Sequence, residues 1–203
     1  LEQRRNPDET QRIEHMLFEG QSVLVQVIKD PINTKGARLS TQISLAGRFL
    51  VHLPQEDHIG ISQRIEDDAE RSSLRERLNN LLPENACHGY IIRTNAENAS
   101  DDQLQSDINY LTKVWEHIQK QAKIQPPETL LYQDLPLSLR VLRDMFSLDT
   151  QKILVDSTEN HRRMTRFAEQ YVHGALGKIE LFKGERPLFE THNVEQEISR
   201  ALQ

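Results

Sequence analysis

The sequence predicts an α+β protein, because segments with the two-residue period of β-strands are mixed with segments that have the longer period of amphipathic helices. The strand pattern is clearest at residues 21–29, where three valines stand at alternate positions. The helix pattern is clearest at residues 67–81 and 100–123, where apolar side chains recur every three or four positions.

The composition is that of a globular chain and excludes several classes of function. The 203 residues include 36% hydrophobic and 28% charged side chains, with a formal net charge of -6. This acidic balance argues against sequence-blind binding of nucleic acid over a basic face, although it is compatible with a local basic pocket. No apolar window approaches the roughly 18 residues of a membrane span. We therefore predict a cytoplasmic protein with no membrane partner.

Cysteine and histidine residues give no pattern of metal ligands. Cys87 is the single cysteine, which excludes a disulfide within the chain and a site made of cysteines alone. The eight histidines show no short ligand spacing. Asp101 and Asp102 stand where a helix should begin, a position at which carboxylates interact favourably with the helix dipole. The sequence therefore predicts no metal site in this chain.

The first predicted sheet element is a β-hairpin, formed by residues 21–29 and 37–45. Residues 30–36 have turn chemistry and place Lys35 at the tip. Alternate positions of the first strand form a face that we expect to be well buried, namely Val23, Val25 and Val27. A short helical turn is predicted before the hairpin, at Ile13, Met16 and Leu17. Because an isolated hairpin is only marginally stable in water, we expect further strands to join it.

A second sheet with two long helices follows the hairpin. Its predicted strands are residues 48–53, 59–62 and 90–93. The helix at residues 67–81 carries an apolar stripe of Ala69, Leu74, Leu78 and Leu81. The helix at residues 100–123 begins with a capping box and buries a stripe made of Leu104, Ile108, Leu111, Val114 or Trp115, and Ile118.

Beyond a linker at residues 125–127, predicted helices and strands alternate. The order is a helix at 137–145, a strand at 152–156, a helix at 158–172, a strand at 178–182 and a helix at 194–202. Two strands are few for a complete α/β domain, so we expect this part of the chain to belong to a larger fold.

The candidate site is the end of the strand at residues 89–93. An apolar run stops abruptly at Arg93 and Thr94 and is followed by a polar loop. A guanidinium is a rigid fork of N–H donors that fits phosphate oxygens, and a neighbouring hydroxyl adds one more donor. A strand that ends in Arg-Thr is also common as plain structure, so the residues alone leave both interpretations open.

Several ungapped segments carry a more specific pattern. They are residues 20–27 (GQSVLVQV), 33–41 (NTKGARLST), 43–51 (ISLAGRFLV), 60–66 (GISQRIE), 92–94 (IRT), 153–156 (ILVD), 183–189 (KGERPLF) and 194–198 (VEQEI). In this order and at nearly these spacings, they resemble the bacterial ribonuclease E/G family, and the ribonuclease G branch more closely than the other. The resemblance extends over nearly the whole chain.

The resemblance implies that the chain is a fragment of a longer enzyme with three regions. Residues 1–45 would be the C-terminal part of an OB-type RNA-binding domain. Residues 46–135 would be a domain that senses the 5′ end of RNA, and residues 136–203 would begin a ribonuclease-H-like region. The implied ligand is single-stranded RNA that carries a 5′-monophosphate.

The resemblance also implies site residues. The 5′-phosphate would be held by the guanidinium of Arg93 and by a hydroxyl or backbone donor of Thr94. Gly47 would allow the backbone to approach the ligand, and Val51 would contact the terminal base or sugar. Further contacts to RNA are expected from Lys29, Lys35 and Arg64.

The sequence departs from the family at its catalytic parts. In the family, the pocket also uses an arginine from the catalytic domain, and hydrolysis by the intact enzyme uses magnesium held by carboxylates. We expect this chain to carry neither that arginine nor those carboxylates. We therefore expect a non-catalytic chain without a cofactor of its own, whose partner is the catalytic domain of the same family chain. The alternative is a structural or assembly module that pairs into a homo-oligomer through exposed sheet edges.

Overall fold

The computed structural model describes residues 17–83, 89–147 and 149–202, and it opens with the predicted hairpin. Strand β1 (Gln26–Lys29) pairs antiparallel with β2 (Arg38–Ser40). Reciprocal backbone hydrogen bonds of 3.0 and 2.9 Å between Ile32 and Lys35 close the turn. The predicted helical turn before the hairpin falls mainly outside the described residues, as does Cys87.

The prediction that the alternating valines form a well-buried face is wrong. Val23, Val25 and Val27 are 42%, 42% and 54% exposed, whereas Leu24 packs against the hydrophobic core. The physical reason is that β1 and β2 form a sheet of two strands, and the described residues place no second layer over the valine face. The strands are also shorter than predicted, and residues 45–46 pair with β4 in the next sheet.

A four-stranded mixed sheet organises the middle of the chain. Its strands lie in the order β3 (Leu45–Ala46), β4 (Leu50–Leu53), β6 (Gly89–Ile92) and β5 (Ile59–Ile61). Strand β4 runs antiparallel to both of its neighbours, whereas β5 and β6 are parallel. The three predicted strands are confirmed, and β3 is an additional strand of two residues.

Two long helices pack against one face of this sheet. Helix α1 (Asp68–Leu81) is capped by Asp67, and helix α2 (Asp101–Ile124) begins with the predicted capping box. Their buried stripes are those predicted, apart from Ala69, which is exposed, and Leu81, which is half-buried. Alternate strand residues meet the helices, and the buried ones are Leu50, His52, Tyr90 and Ile92, with the rings of His52 and Tyr90 stacked 4.8 Å apart.

The C-terminal part, in the residues described, contains four α-helices and a small parallel sheet. Its elements are α3 (Leu137–Met145), β7 (Ile153–Val155), α4 (Thr158–Tyr171), β8 (Ile179–Leu181), α5 (Leu188–Thr191) and α6 (Val194–Ala201). The Tyr110 ring of α2 makes edge contacts with Phe167 and Tyr171 of α4, at centroid distances of 6.2 and 5.2 Å. This aromatic cluster joins the C-terminal part to the central sheet and its helices.

The structure thus confirms a mixed protein of helices and several small sheets. Helix α5 was not predicted from periodicity, because four residues are too few to show a helical period. None of the helices in the described ranges is long and apolar enough to cross a membrane.

Core packing predicts that alanine substitutions at two positions of α2 lower the stability of the protein by very different amounts. Leu111 of α2 is fully buried, so Leu111→Ala should destabilise the fold by about 2–5 kcal/mol through lost burial and the cavity left behind. Ile124 ends the same helix and is 65% exposed, so Ile124→Ala should change the free energy of unfolding by less than about 0.5 kcal/mol. Urea unfolding measures both, and equal losses would contradict the packing described.

Candidate phosphate site

One edge of the four-stranded sheet brings together three chain segments. Because β5 and β6 are parallel and β4 is antiparallel, this edge holds the ends of β5 and β6 and the loop before β4, residues 47–49. Hydrogen bonds join the segments: Ser62 N donates to Ile92 O at 2.8 Å, and Arg93 N donates to Phe49 O at 2.9 Å. Ligands of sheets with parallel strands commonly bind where such strand ends meet.

Arg93 stands in the middle of this edge. Its Nη1 donates to the carbonyl oxygen of Gly47 and, at 3.4 Å, to that of Arg48. The Nε and Nη2 atoms make no hydrogen bond within the described part of the chain. One nitrogen of the half-buried guanidinium therefore holds the loop, while the others are available to a ligand.

The loop before β4 is fixed by the side chain of Asp107, which lies on α2 and accepts hydrogen bonds from the loop. Oδ1 of this carboxylate accepts from Arg48 N at 2.9 Å, and Oδ2 accepts from Phe49 N and Leu50 N, both at 2.8 Å. The side chain is almost completely buried, since the residue is 5% exposed. These backbone N–H groups are therefore used inside the protein, and an anion at this edge would be bound mainly by side chains.

Burial raises the pKa of the Asp107 carboxyl above its ordinary value. The three loop N–H donors and the positive charge of Arg143 act in the opposite direction, since each favours the ionised form. An ionised carboxylate accepts hydrogen bonds only, which suits a position faced by three donors.

Gly47 is required here by Asp107. A Cβ atom at this position would lie 2.5 Å from Oδ2 and 2.6 Å from Oδ1 of the carboxylate. The space that a side chain would fill is therefore already occupied from within the protein. Gly47 was predicted to let the backbone approach a ligand, and in the structure its missing side chain makes room for the Asp107 carboxylate.

The other residues expected at the pocket lie around Arg93. Thr94 follows it directly and begins a single 3-10 turn, and its hydroxyl makes no hydrogen bond within the described residues. Val51 is half-buried and pairs with Ile91 of β6, on the face opposite to Leu50 and His52. Arg93 follows Ile91 by two positions, so its side chain leaves the sheet on the same face as Val51.

Arg64 is exposed in the turn after β5, at the same edge of the sheet. This turn is also fixed by a helix side chain, because Nη1 of Arg71 donates to Ser62 O and Ile65 O, both at 2.9 Å. The two loops that flank Arg93 are thus each held by one side chain, from α1 and from α2.

Lys29 and Lys35 belong to the hairpin and not to this edge. Lys29 ends β1 and Lys35 lies in the turn, and both are exposed. The structure therefore groups Gly47, Arg64, Arg93 and Thr94 at one edge of one sheet, with Val51 one position into β4, and leaves the lysines in a separate sheet.

Sequence reasoning missed Asp107 and Arg143. Nη1 of Arg143, on α3, donates to Ala46 O at 2.8 Å, and the same guanidinium pairs with Asp144 at 2.7 Å. The Asp107 position carried a usable signal, because an acidic residue three positions after Leu104 falls within the apolar stripe of α2. The position of Arg143 carried none, since its partner lies 97 residues away in the sequence.

The contact between Gly47 and Asp107 gives a matched pair of variants. Gly47→Ala forces a methyl group against the buried carboxylate and should destabilise the protein by about 1–3 kcal/mol. Gly36→Ala is the control, because a Cβ atom added there would have nothing within 4 Å, and it should change stability by less than about 0.5 kcal/mol. Thermal and urea unfolding measure both. Similar effects of the two substitutions would show that Asp107 does not occupy this space.

No group of three or more His, Cys, Asp or Glu side chains in the described ranges is arranged to hold a metal ion. The described residues therefore offer no set of carboxylates suited to the magnesium that the family resemblance implies for hydrolysis.

Comparison with known proteins identifies the family. The model of the ribonuclease E/G family matches residues 44–203. Ribonuclease G of Escherichia coli strain K12 is 39% identical over 191 residues, which is 94% of this chain and 39% of that protein. Ribonuclease G of Haemophilus influenzae is 35% identical over 190 residues, covering 94% of this chain and 38% of that protein.

A second branch matches over the same share of the chain. Ribonuclease E of Escherichia coli strain K12 is 39% identical over 199 residues, covering 94% of this chain and 18% of that protein. The chain thus spans about two fifths of the length of the ribonuclease G relatives, 39% in the Escherichia coli protein. A family match over most of the chain, together with these relatives, confirms the resemblance seen in the sequence motifs. The chain belongs to the ribonuclease E/G family.

Proposed function

We propose that this chain recognises the 5′-monophosphate end of single-stranded RNA as part of an RNA-processing endoribonuclease. The observation that carries the proposal is the state of Arg93, whose guanidinium is anchored through one nitrogen while two nitrogens have no partner in the described structure. Two such donors match two oxygens of a phosphate group. The relatives are named as ribonucleases, which supports RNA as the source of that phosphate.

The surroundings of Arg93 support a preorganised site. Asp107 and Arg71 hold the flanking loops through backbone groups, so the loops lose little freedom when a ligand binds. Thr94 adds a hydroxyl donor next to the guanidinium. Val51 and Ile91 supply half-buried apolar surface on the same sheet face, suited to the sugar or base of the terminal nucleotide. Arg64 contacts the next phosphate along the RNA.

In the proposed function, the chain contributes three regions of the family enzyme. Residues 1–45 belong to an OB-type RNA-binding domain, residues 46–135 form the 5′ sensor, and residues 136–203 begin a ribonuclease-H-like region. Lys29 and Lys35 contact RNA away from its end. Two linked contacts raise the effective concentration of the RNA at each, so modest contacts combine into useful affinity. In the cytoplasm, the sensor presents RNA to the family's catalytic domain, where magnesium would support hydrolysis.

Arg93 provides the central test. Fluorescence anisotropy compares two short RNAs of one sequence, one with a 5′-phosphate and one with a 5′-hydroxyl. The phosphorylated RNA should bind about 10-fold or more tightly, since a hydrogen bond to a charged group contributes about 1.5–3 kcal/mol. Arg93→Ala should remove most of that difference, because Arg93 supplies the paired N–H donors that bind the phosphate group.

Arg162→Ala is the matched control for this test. Arg162 is an exposed arginine of α4, outside the four-stranded sheet, so its loss should leave the difference between the two RNAs unchanged. Equal binding of both RNAs by the unsubstituted chain would contradict the proposed function.

Lys35 should behave differently from Arg93. Lys35→Ala should weaken the binding of both RNAs by the same factor, because in this proposal the hairpin tip contacts the sugar-phosphate backbone of the RNA and not its 5′ end. For one phosphate contact to a single strand, the slope of log K against log salt should become less steep by about 0.7. Titrations at several salt concentrations measure this slope, with the exposed Lys120 of α2 as the control. A loss confined to the phosphorylated RNA would contradict this role.

An assembly role is a second candidate, favoured by one observation. Val27, Ile28, Ile32 and Leu39 of the hairpin are 54%, 54%, 63% and 53% exposed, and the hairpin is a sheet of two strands. Exposed apolar strands of this kind pair readily with other chains. Light scattering over a range of concentrations tests it. A homo-oligomer that forms while both RNAs bind equally would favour assembly over recognition of the RNA end.

A further inference from the structure

Recognition of an RNA end poses a charge problem that Arg93 alone does not solve. A terminal phosphate monoester carries a charge of about -1.5 to -2 near pH 7, because its second pKa is about 6. A phosphodiester within the chain carries one negative charge. Arg93 contributes one positive charge, so it can hold a phosphate without sensing whether the phosphate is terminal.

Arg48 is placed to supply a second charge. It lies in the loop before β4, and its backbone is held on both sides. Its N–H donates to Asp107 Oδ1 at 2.9 Å, and its carbonyl oxygen accepts from Arg93 Nη1 at 3.4 Å. The same guanidinium that we assign to the phosphate therefore contacts the peptide group of Arg48, and the buried carboxylate fixes the position of that residue.

The side chain of Arg48 is oriented but not neutralised. Its Cζ atom lies 4.7 Å from the centroid of the Phe49 ring, and Phe49 is 6% exposed and packed into the core. A guanidinium over an aromatic face is held in place, and its N–H donors, which lie in the guanidinium plane, can still bind a ligand. No carboxylate pairs with Arg48 among the described residues, in contrast to Arg143, which is paired with Asp144.

We propose that Arg48 is a specificity-determining residue of the 5′ site, supplying the second positive charge that separates a terminal phosphate monoester from a singly charged phosphodiester. The inference rests on the proposed function and deepens it: Arg93 binds the phosphate group, and Arg48 senses that it is terminal. Asp107 fixes the backbone of Arg48 and Phe49, and the Phe49 ring lies under the Arg48 guanidinium, so this second charge starts from a defined position in the loop that Arg93 contacts.

Three RNAs of one sequence separate the two roles. One carries a 5′-phosphate, one a 5′-methyl phosphate with a single negative charge, and one a 5′-hydroxyl. The unsubstituted chain should bind them in that order of decreasing affinity. Arg48→Gln should abolish the difference between phosphate and methyl phosphate, a loss of about 10-fold, and keep both tighter than the hydroxyl. Arg93→Gln should abolish the difference between methyl phosphate and hydroxyl.

Two further variants keep the test decisive. Arg48→Lys retains the positive charge and should retain most of the preference for the phosphate over the methyl phosphate, which gives a readout even if Arg48→Gln folds poorly. Arg162→Gln, which removes an exposed arginine of α4, should change none of the three ratios.

The outcomes distinguish the two proposals. An Arg48→Gln chain that still prefers the phosphate over the methyl phosphate, or that weakens all three RNAs equally, overturns the role of Arg48 while recognition by Arg93 stands. Equal binding of all three RNAs by the unsubstituted chain overturns both.

Discussion

The site depends on one buried carboxylate. Asp107 is 5% exposed and accepts three backbone N–H bonds from the loop before β4. A buried charge is costly unless hydrogen bonds satisfy it, and an unpaired backbone N–H is costly as well. The carboxylate and the loop therefore stabilise each other. Glycine at position 47 follows from this contact, because any side chain there would meet the carboxylate.

Helices outside the sheet determine how rigid the edge is. Asp107 of α2 holds one loop, Arg71 of α1 holds the turn after β5, and Arg143 of α3 holds the carbonyl oxygen of Ala46. Arg93, which follows β6, donates to the carbonyl oxygens of Gly47 and Arg48 in the loop before β4. Side chains of three helices thus reach the backbone of the loops, and the donors that face outward belong to side chains. Because arginine side chains stand at this edge, a chain of net charge -6 can present a local cationic edge.

The sequence predicted much of the fold because several signals are local. Helices α1 and α2 were predicted within one or two residues, since capping residues and apolar stripes lie within the elements themselves. The valine face of the hairpin was predicted wrongly, because alternation shows that a strand has two faces and not which of them is covered. Strand β3 and helix α5 have two and four residues, too few to show a period.

By themselves, the residues determined the helices, the main strands and a strand end with a phosphate-type donor pair at Arg93 and Thr94. Short-range periodicity, capping and side-chain chemistry carry that information. The tertiary structure decided which segments meet at that strand end and which of the side-chain donors have no hydrogen-bond partner among the described residues. Asp107 lies 59 residues from Arg48, and Arg143 lies 97 residues from Ala46. Contacts at such separations arise from the packing of helices on the sheet, which no local pattern encodes.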